Sequence, residues 1–554
     1  MAEAAGLALS VITLFSSCVQ GYGALRAMRD QGSEAATIAC CLEIEEKRLV
    51  LWSRSAGLFD DTCLIPTSDL DTVISTLRQI EVITQDAGTL RTRYGLKDDT
   101  PAEDGEVRAP IRYIIGGPEL SPSQVSRGRR RVTAAKLAMR WLFDRGKFEK
   151  IVQDLRTLNN GLNALLQEGQ AANYHRDFAM MGLRSTSTDN VNTLRAIREA
   201  AQDAYDSLAR ASDQRFHTLM LQIRSAPGVH VYGTVPLISM SVLTIPFCNE
   251  PKNRDICLLD HKPVLLEWRK HQGESPQTVS FLKSRTEGLA TLLSRTPKPQ
   301  TFRVLDCIGY CHDEINERFG LIFCIPPQFS NTGTTPEMLI LRDLLQSRTQ
   351  SKTPLPTLHD RFHLAASLTN SLLQLHAAKW LHRSLSSANV IFLRRPSTAQ
   401  PGGTNSKSLF EDHFIVGFGY SREDAPGALS LPVSTTASEV AYQDPDLAAA
   451  PRQGYRAAFD AYSLGVILLE IGFWRSVDGF LKPQYTATQN RDRLLKYRLS
   501  GDLAHRMGTA YEEATMRMLC GEAYGEEDGA GEDERLVRFF QRVVVPVERA
   551  LDGS

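Results

Sequence analysis

The sequence predicts a chain of two domains, an all-α helical bundle over residues 1–220 followed by an α+β domain over residues 224–550. Two observations lead to this prediction. The first part repeats apolar side chains at helical spacings of three and four. In the second part a helical pattern runs into a polar loop and then into the β-branched and aromatic segment 390–393. With 554 residues, the chain is long enough for both domains.

The composition is that of an ordinary globular protein. Hydrophobic residues make up 42% of the chain, charged residues 23%, and the formal net charge is −1. A nearly neutral chain has no bulk attraction to nucleic acid, so we expect no nucleic-acid partner. Ten cysteines are too few for a disulfide scaffold, and no basic leader precedes the first apolar stretch. We therefore expect reduced thiols and a cytoplasmic protein.

The amino-terminal stretch from Ala4 to Leu25 contains no charged side chain. A helix of this length would measure roughly 33 Å, enough to cross a hydrocarbon core of about 30 Å. Small and polar residues such as Gly6 and Ser10 dilute its apolar character, which favours the first helix of a soluble bundle, buried on most sides. The sequence leaves both interpretations open, and we prefer the bundle for the resting state.

The rest of the first domain repeats the helical pattern. Amphipathic stretches occupy residues 35–56, 70–87, 148–165 and 193–221. Residues 97–110 are charged and contain proline, which indicates a solvated loop. A basic cluster follows at Arg127, Arg129, Arg130, Arg131, Lys136 and Arg140. It is either an attraction site for anionic lipid headgroups or an ordinary solvated face.

Three linked segments of this domain resemble the HeLo domain of filamentous fungi, a family associated with prion inhibition and propagation. They are GLALSVITLFSSCVQGYGALR at 6–26, CCLEIEEKRLVLWSRSAGL at 40–58 and WLFDRGKFEKIVQDLRTLNNGLNALL at 141–166. The resemblance implies a helical bundle whose amino-terminal helix, once released, attacks membranes in cell-death reactions.

The polar loop of the second domain resembles the catalytic loop of protein kinases. The family pattern is His-Arg-Asp, four residues, then Asn; His382, Arg383 and Asn389 match it, and Ser384 stands at the position of the Asp. The resemblance implies a two-lobed kinase-like fold. It also implies loss of the catalytic base, because a neutral serine hydroxyl is a poor proton acceptor.

The metal-binding element of kinases is altered as well. Gly417, Phe418 and Gly419 stand where the family has Asp-Phe-Gly, and glycine has no side chain to hold magnesium. Arg269 is our candidate for the phosphate-binding strand lysine, and Glu287 for its helix partner. The predicted remnants of a nucleotide pocket are Arg269, Glu287, Asn389, Gly417, Phe418 and Gly419. Any ATP binding is expected to be weak and independent of metal.

A metal site elsewhere in the chain is not expected. Cys307, Cys311 and His312 form a C-x₃-C-H cluster, but no second pair lies at zinc-finger spacing. We interpret the two cysteines as small buried hydrophobic residues.

Two acidic residues are predicted to be structural. Asp460 resembles the buried aspartate that caps the backbone of a kinase catalytic loop. Asp446, in the sequence Asp-Pro-Asp, resembles the glutamate of the Ala-Pro-Glu element that ends a kinase activation segment. Framework residues retained beside lost catalytic residues are typical of a pseudokinase.

The two resemblances together suggest a fungal signalling protein of the incompatibility or regulated cell-death type. In this hypothesis the pseudokinase controls a membrane-active bundle that relocates to the plasma membrane. The partners would be membrane lipid, an upstream activator protein and further copies of the chain. Two alternatives remain open: a non-lytic adaptor, and a divergent kinase that uses an unconventional carboxylate such as Glu411, Asp412 or Asp424.

Overall fold

The computed structural model describes residues 2–27, 33–59, 64–85, 145–224, 235–245, 253–294, 298, 302–330, 335–346, 355–394, 409–423, 439–449, 454–525 and 531–552. The chain divides into two compact units, one of residues 1–182 and 192–209, the other of residues 183–191 and 210–554. The predicted loop at 97–110, the basic cluster at 127–140 and Asp424 lie outside the described residues.

The amino-terminal part of the chain is helical wherever it is described, as the sequence predicts. Its helices are α1 (Ala2–Ala27), α2 (Ser33–Ser55), α3 (Leu70–Gln85), α4 (Arg145–Ala164), α5 (Glu168–Thr186), α6 (Val191–Ala201) and α7 (Asp206–Arg224). Apolar side chains from α1 to α5 form one core, since each helix carries an apolar stripe at the spacing of its turns.

Helix α1 contributes a single buried stripe to this core. Val11, Phe15, Cys18, Tyr22 and Leu25 are all at most 5% exposed and recur every three or four residues. The opposite face is exposed at Ser10, Thr13, Ser16 and Gln20. Only one face of α1 is thus exposed over residues 10–25, because the polar positions that dilute the stretch share that face, while the other described side chains are buried or half-buried.

Helix α1 lies closest to α3. At Gly21 a Cβ atom would overlap the side chain of Thr84 on α3, so the glycine allows a close approach of the two backbones. Among the helices described, none is long and apolar enough to cross a membrane.

The second unit begins with a five-stranded antiparallel sheet. Its strands are β1 (Leu243–Thr244), β2 (Arg254–Leu259), β3 (Lys262–Lys270), β4 (Cys307–Asp313) and β5 (Arg318–Cys324), in the order β1-β2-β3-β5-β4. Helix α8 (Pro276–Leu293) connects β3 to β4 and packs against β4 and β5. Ser275 caps its first turn by accepting a hydrogen bond from the Thr278 N–H, and Pro276 follows at the first helical position.

The remainder of this unit combines helices with short strands. The helices are α9 (Pro327–Ser330), α10 (Leu341–Gln346), α11 (Leu358–Ala377), α12 (Pro445–Ala449), α13 (Ala457–Phe473), α14 (Ala487–Ser500), α15 (Asp502–Leu519), α16 (Glu532–Phe539) and α17 (Val545–Asp552). The strands are β6 (Glu337–Ile340), β7 (Trp380–Leu381), β8 (Val390–Arg394), β9 (His413–Ile415) and β10 (Arg422–Glu423). They form a β6-β8-β9 sheet and a β7-β10 pair. The mixed helix and strand content predicted for this part is confirmed.

Helix α13 is the centre of this second part of the unit. Nearly all of its side chains are buried, as its continuous apolar sequence predicts. Two acidic residues are buried with them, Asp460 in the first turn and Glu470 in the last. A buried charge requires hydrogen-bond partners, and those partners lie in the loops that form the candidate site.

Candidate functional site

Asp460 holds the loop of residues 382–389 that joins β7 to β8. Its carboxylate accepts the backbone N–H of His382 at 2.7 Å and that of Arg383 at 2.8 Å. The Tyr455 hydroxyl donates to it at 2.8 Å, and His376 Nε2 lies 3.2 Å away. Burial alone would raise the pKa of Asp460, but the hydrogen bond from His376 and the other donors outweigh burial and lower it. The carboxylate therefore stays ionised and fixes the loop backbone, including Arg383 at φ +70°.

His382 and Ser384 connect this loop to the segment that follows β9. His382 Nε2 donates to the carbonyl of Val416 at 3.0 Å, and burial lowers the pKa of this imidazole to about 4, so it is neutral at pH 7. The Ser384 hydroxyl donates to the carbonyl of Gly417 at 2.6 Å. The hydroxyl proton of Ser384 is thus bound to a backbone carbonyl, a contact that braces the loop.

Asn389 fills the space in front of Gly417. Its side-chain amide donates to the backbone carbonyl of Ser384. Its backbone carbonyl accepts the N–H of Val416 at 3.0 Å. Gly417 has φ +94°, and a Cβ atom on it would overlap the Asn389 carboxamide. An aspartate at position 417 would thus require both a strained backbone and a displaced asparagine.

Two charged residues missed by the sequence analysis complete this cluster. Arg254, at the start of β2, donates from Nη1 to the carbonyl of Ala388 at 2.9 Å and from Nη2 to Oδ1 of Asn389. The same Nη2 lies 3.4 Å from Oε1 of Glu267 on β3. The signal that could have identified Glu267 is a carboxylate within the apolar strand run 263–268.

Glu267 is only 5% exposed. Burial raises the pKa of its carboxyl group, while Arg254 and the backbone N–H groups of Gly417 and Phe418 oppose that rise. Glu267 is therefore the carboxylate that faces the Gly-Phe-Gly segment. Glu411, one of the carboxylates that the sequence suggested, instead interacts with His363. Its negative charge opposes the lowering of the His363 pKa by burial.

Arg269 and Glu287, predicted as partners, are not brought together. Arg269 donates to the carbonyl of Gly419, its guanidinium lies 4.9 Å from the centre of the Tyr420 ring, and burial lowers its pKa to about 10. The carboxylate of Glu287 instead lies beside Tyr310 of β4. Burial and the negative charge of Glu287 together raise the pKa of the Tyr310 hydroxyl.

The orientation of helix α8 keeps Glu287 away from Arg269. Arg285 is the residue of α8 that faces the loop, donating from Nε to the carbonyl of Ser421 and from Nη2 to that of Tyr420, both at 2.9 Å. Residues two apart on a helix point in different directions, so Glu287 faces β4. The space between Arg269, Thr286 and Gly419 is a cavity of about 10 Å³, room for one water molecule at most.

Asp446 and Glu470 both form contacts around the segment before α13, and the contacts of Glu470 are the more buried ones. Asp446 lies 3.1 Å from Arg491 on α14, an exposed ion pair of small energetic weight. Glu470 is fully buried and accepts the Val477 N–H at 2.7 Å and the Tyr442 hydroxyl at 2.9 Å. Burial raises the pKa of Glu470 to about 7.

The cluster offers structure and charge but no general base at the kinase position. Neither Ser384 nor Gly417 carries a carboxylate, and Glu267 is engaged with Arg254. Within the described ranges, no three His, Cys, Asp or Glu side chains are grouped so as to hold a metal ion. Cys307 and Cys311 are buried, and His312 on the other face of β4 contacts His271 at 3.1 Å.

Comparison with known families assigns the amino-terminal part of the chain. The HeLo family model, described as prion-inhibition and propagation, matches residues 4–197. A second model, a domain of unknown function designated DUF7580, matches residues 326–514. No curated protein matches the chain. The predicted HeLo resemblance is thus confirmed for the helical part, and the second match names no activity.

Proposed function

We propose that this chain, whose residues 4–197 match the HeLo family, is a fungal signalling protein in which a kinase-like domain without kinase activity controls the helical bundle. The setting would be incompatibility or regulated cell death. The protein would rest in the cytoplasm and move to the plasma membrane after a signal from an activator protein. The bundle would then act on membrane lipid, alone or with further copies of the chain.

The arrangement around Asp460 is the observation that carries the kinase-like part of this proposal. Asp460 caps the N–H groups of His382 and Arg383, so the loop backbone is held in a defined conformation. At the same time Ser384 and Gly417 offer no carboxylate for proton transfer or for magnesium. A scaffold kept in order without its reactive groups supports a regulatory role over a catalytic one.

The packing of α1 supports the role of the bundle. One face of α1 is buried in the core, and the polar face of residues 10, 13, 16 and 20 is exposed. A helix that is mostly apolar and uncharged from Ala4 to Leu25 can exchange a protein core for the apolar layer of a membrane at similar hydrophobic gain. The conformational change we propose is a shift of α1 between these two environments.

Leakage of dye from vesicles tests the proposal. Full-length protein is added to vesicles of anionic lipid, beside a truncation that lacks residues 1–25 and a variant carrying Ser16→Ala on the exposed face of α1. We expect the truncation to lose most of the leakage and Ser16→Ala to retain it, since only the truncation removes the apolar stripe.

Three other results would change the interpretation. Equal leakage by the truncated and full-length proteins would overturn the role assigned to α1. Binding of the full-length protein to protein partners with no leakage from any vesicle would favour the adaptor alternative. Phosphate transfer from ATP by the full-length protein, lost in Asp460→Asn, would favour the divergent kinase.

A further inference from the structure

Three oxygen atoms surround the guanidinium of Arg254. They are the Ala388 carbonyl at 2.9 Å from Nη1, Oδ1 of Asn389 against Nη2, and Oε1 of Glu267 at 3.4 Å from Nη2. A carbonyl, a carboxamide oxygen and a carboxylate are the ligands that magnesium and manganese prefer. The site therefore has the donor set of a divalent cation but contains a cation of the chain itself.

The second oxygen of Glu267 reinforces this description. Oε2 is buried and forms no hydrogen bond of normal geometry in the described part of the chain, although the backbone N–H groups of Gly417 and Phe418 lie close enough to the carboxyl group to oppose the rise of its pKa. A buried carboxylate oxygen without a partner is costly, so the charge of Arg254 is the main compensation available to it. A side chain at position 417 could not replace Arg254 as a partner of Glu267, because Asn389 occupies the space that it would need.

We infer that Arg254 is the resident cation of this site and that its guanidinium excludes a divalent metal from the oxygens of Glu267, Asn389 and Ala388. The residues present accordingly do not fit a metal–nucleotide complex. The inference deepens the proposed function and rests on it only in treating residues 382–389 as a kinase-like loop.

The same contacts give Arg254 a second role. Arg254 and Glu267 belong to the five-stranded sheet, whereas Ala388 and Asn389 lie in the loop before β8, 134 and 135 residues further along the chain from Arg254. The guanidinium thus connects the sheet to the loop.

Thermal unfolding of the full-length protein with and without MnCl₂ tests the inference. The set contains the unaltered protein, Arg254→Lys, Arg254→Gln and the double variant Arg254→Gln/Glu267→Gln. Lysine keeps the charge, glutamine removes it, and the double variant also removes the carboxylate ligand. We expect Mn²⁺ to raise the Tm of Arg254→Gln by at least about 2–4 °C, because a ligand that binds only the folded protein stabilises it. The Tm of the other three proteins should not change.

Each outcome decides the question. If Arg254→Gln has a lower Tm than the unaltered protein, an increase of the Tm by Mn²⁺ in this variant alone would support the inference, because its site lacks only a cation. Equal shifts in all four proteins, or no shift in Arg254→Gln, would overturn it. Vesicle leakage by these proteins is read separately, so failure of the proposed membrane role leaves the Mn²⁺ result intact.

Discussion

Gly417 illustrates how one residue decides the chemistry of the loop. Gly417 has no side chain that could act as a metal ligand, and its φ of +94° leaves the space in front of it to Asn389. Arg254 then binds the outward oxygen of Asn389. A carboxylate introduced at position 417 alone would therefore not create a metal site, because Asn389 occupies the space that its side chain would need.

Gly417→Asp should accordingly weaken the protein without creating activity. The left-handed backbone and the overlap with Asn389 together predict a loss of at least about 2 kcal/mol in the free energy of unfolding. Denaturant unfolding measures this loss. Gly419→Ala is the matched control, since a Cβ there meets only the Arg269 side chain among the described residues, at 3.4 Å from its Cβ atom. A Gly417→Asp variant as stable as the unaltered protein would contradict the strain described for this glycine.

Helix α2 shows the effect of an element that carries charge into a core. Glu45 is fully buried and accepts hydrogen bonds from Arg48 at 3.0 Å, Arg156 at 3.2 Å and Asn159 at 3.0 Å. These donors lie on α2 and α4, and Asn159 also contacts the Tyr22 hydroxyl of α1 at 3.3 Å. The carboxylate thus connects three helices of the bundle through one buried network.

Glu45→Gln should therefore destabilise the amino-terminal bundle by about 3 kcal/mol, because it leaves the buried guanidinium of Arg48 and the partly buried guanidinium of Arg156 without their carboxylate. Glu43→Gln on the same helix is the control. Glu43 forms an exposed ion pair with Lys47, so its loss should cost about 0.5 kcal/mol or less. Urea unfolding monitored by far-ultraviolet circular dichroism compares the two, and equal costs would show that the buried network contributes nothing beyond a surface pair.

At the scale of the whole molecule, buried titratable groups link stability to pH. Burial lowers the pKa of His382 to about 4 and that of His413 to about 3. Both bind a proton in the unfolded chain near pH 6.5 but not in the folded protein, so folding is progressively opposed as the pH falls below 6.5. Glu470 acts in the opposite direction, because its pKa of about 7 lets the folded protein keep a proton that the unfolded chain releases above about pH 4.5.

The free energy of unfolding should therefore fall by about 1.4 kcal/mol per pH unit between pH 6.5 and 4.5, the net of two histidines and one glutamate. Urea unfolding at several pH values measures this slope. His413→Asn should remove most of the slope, and Glu470→Gln should make it steeper because it removes the opposing contribution. An unchanged slope in both variants would mean that other groups control the pH dependence.

The sequence by itself determined the helical bundle, the mixed second part and the landmarks of the loop. Helical periodicity, short β-branched runs and the spacing from His382 to Asn389 depend on neighbours within a few turns, so they can be read directly. The resemblance to kinases predicted Asp460 as a structural residue, and in the structure its carboxylate accepts the N–H groups of His382 and Arg383.

Only the tertiary structure decided what fills the site. Arg254 meets Asn389 across 135 residues, and Arg285 replaces Glu287 beside Arg269 because of how α8 packs on the sheet. Helix α1 likewise approaches α3 closely at Gly21, where a Cβ atom would overlap the side chain of Thr84. Contacts at such separations depend on the relative placement of whole elements, and no pattern within a short stretch of sequence records that placement.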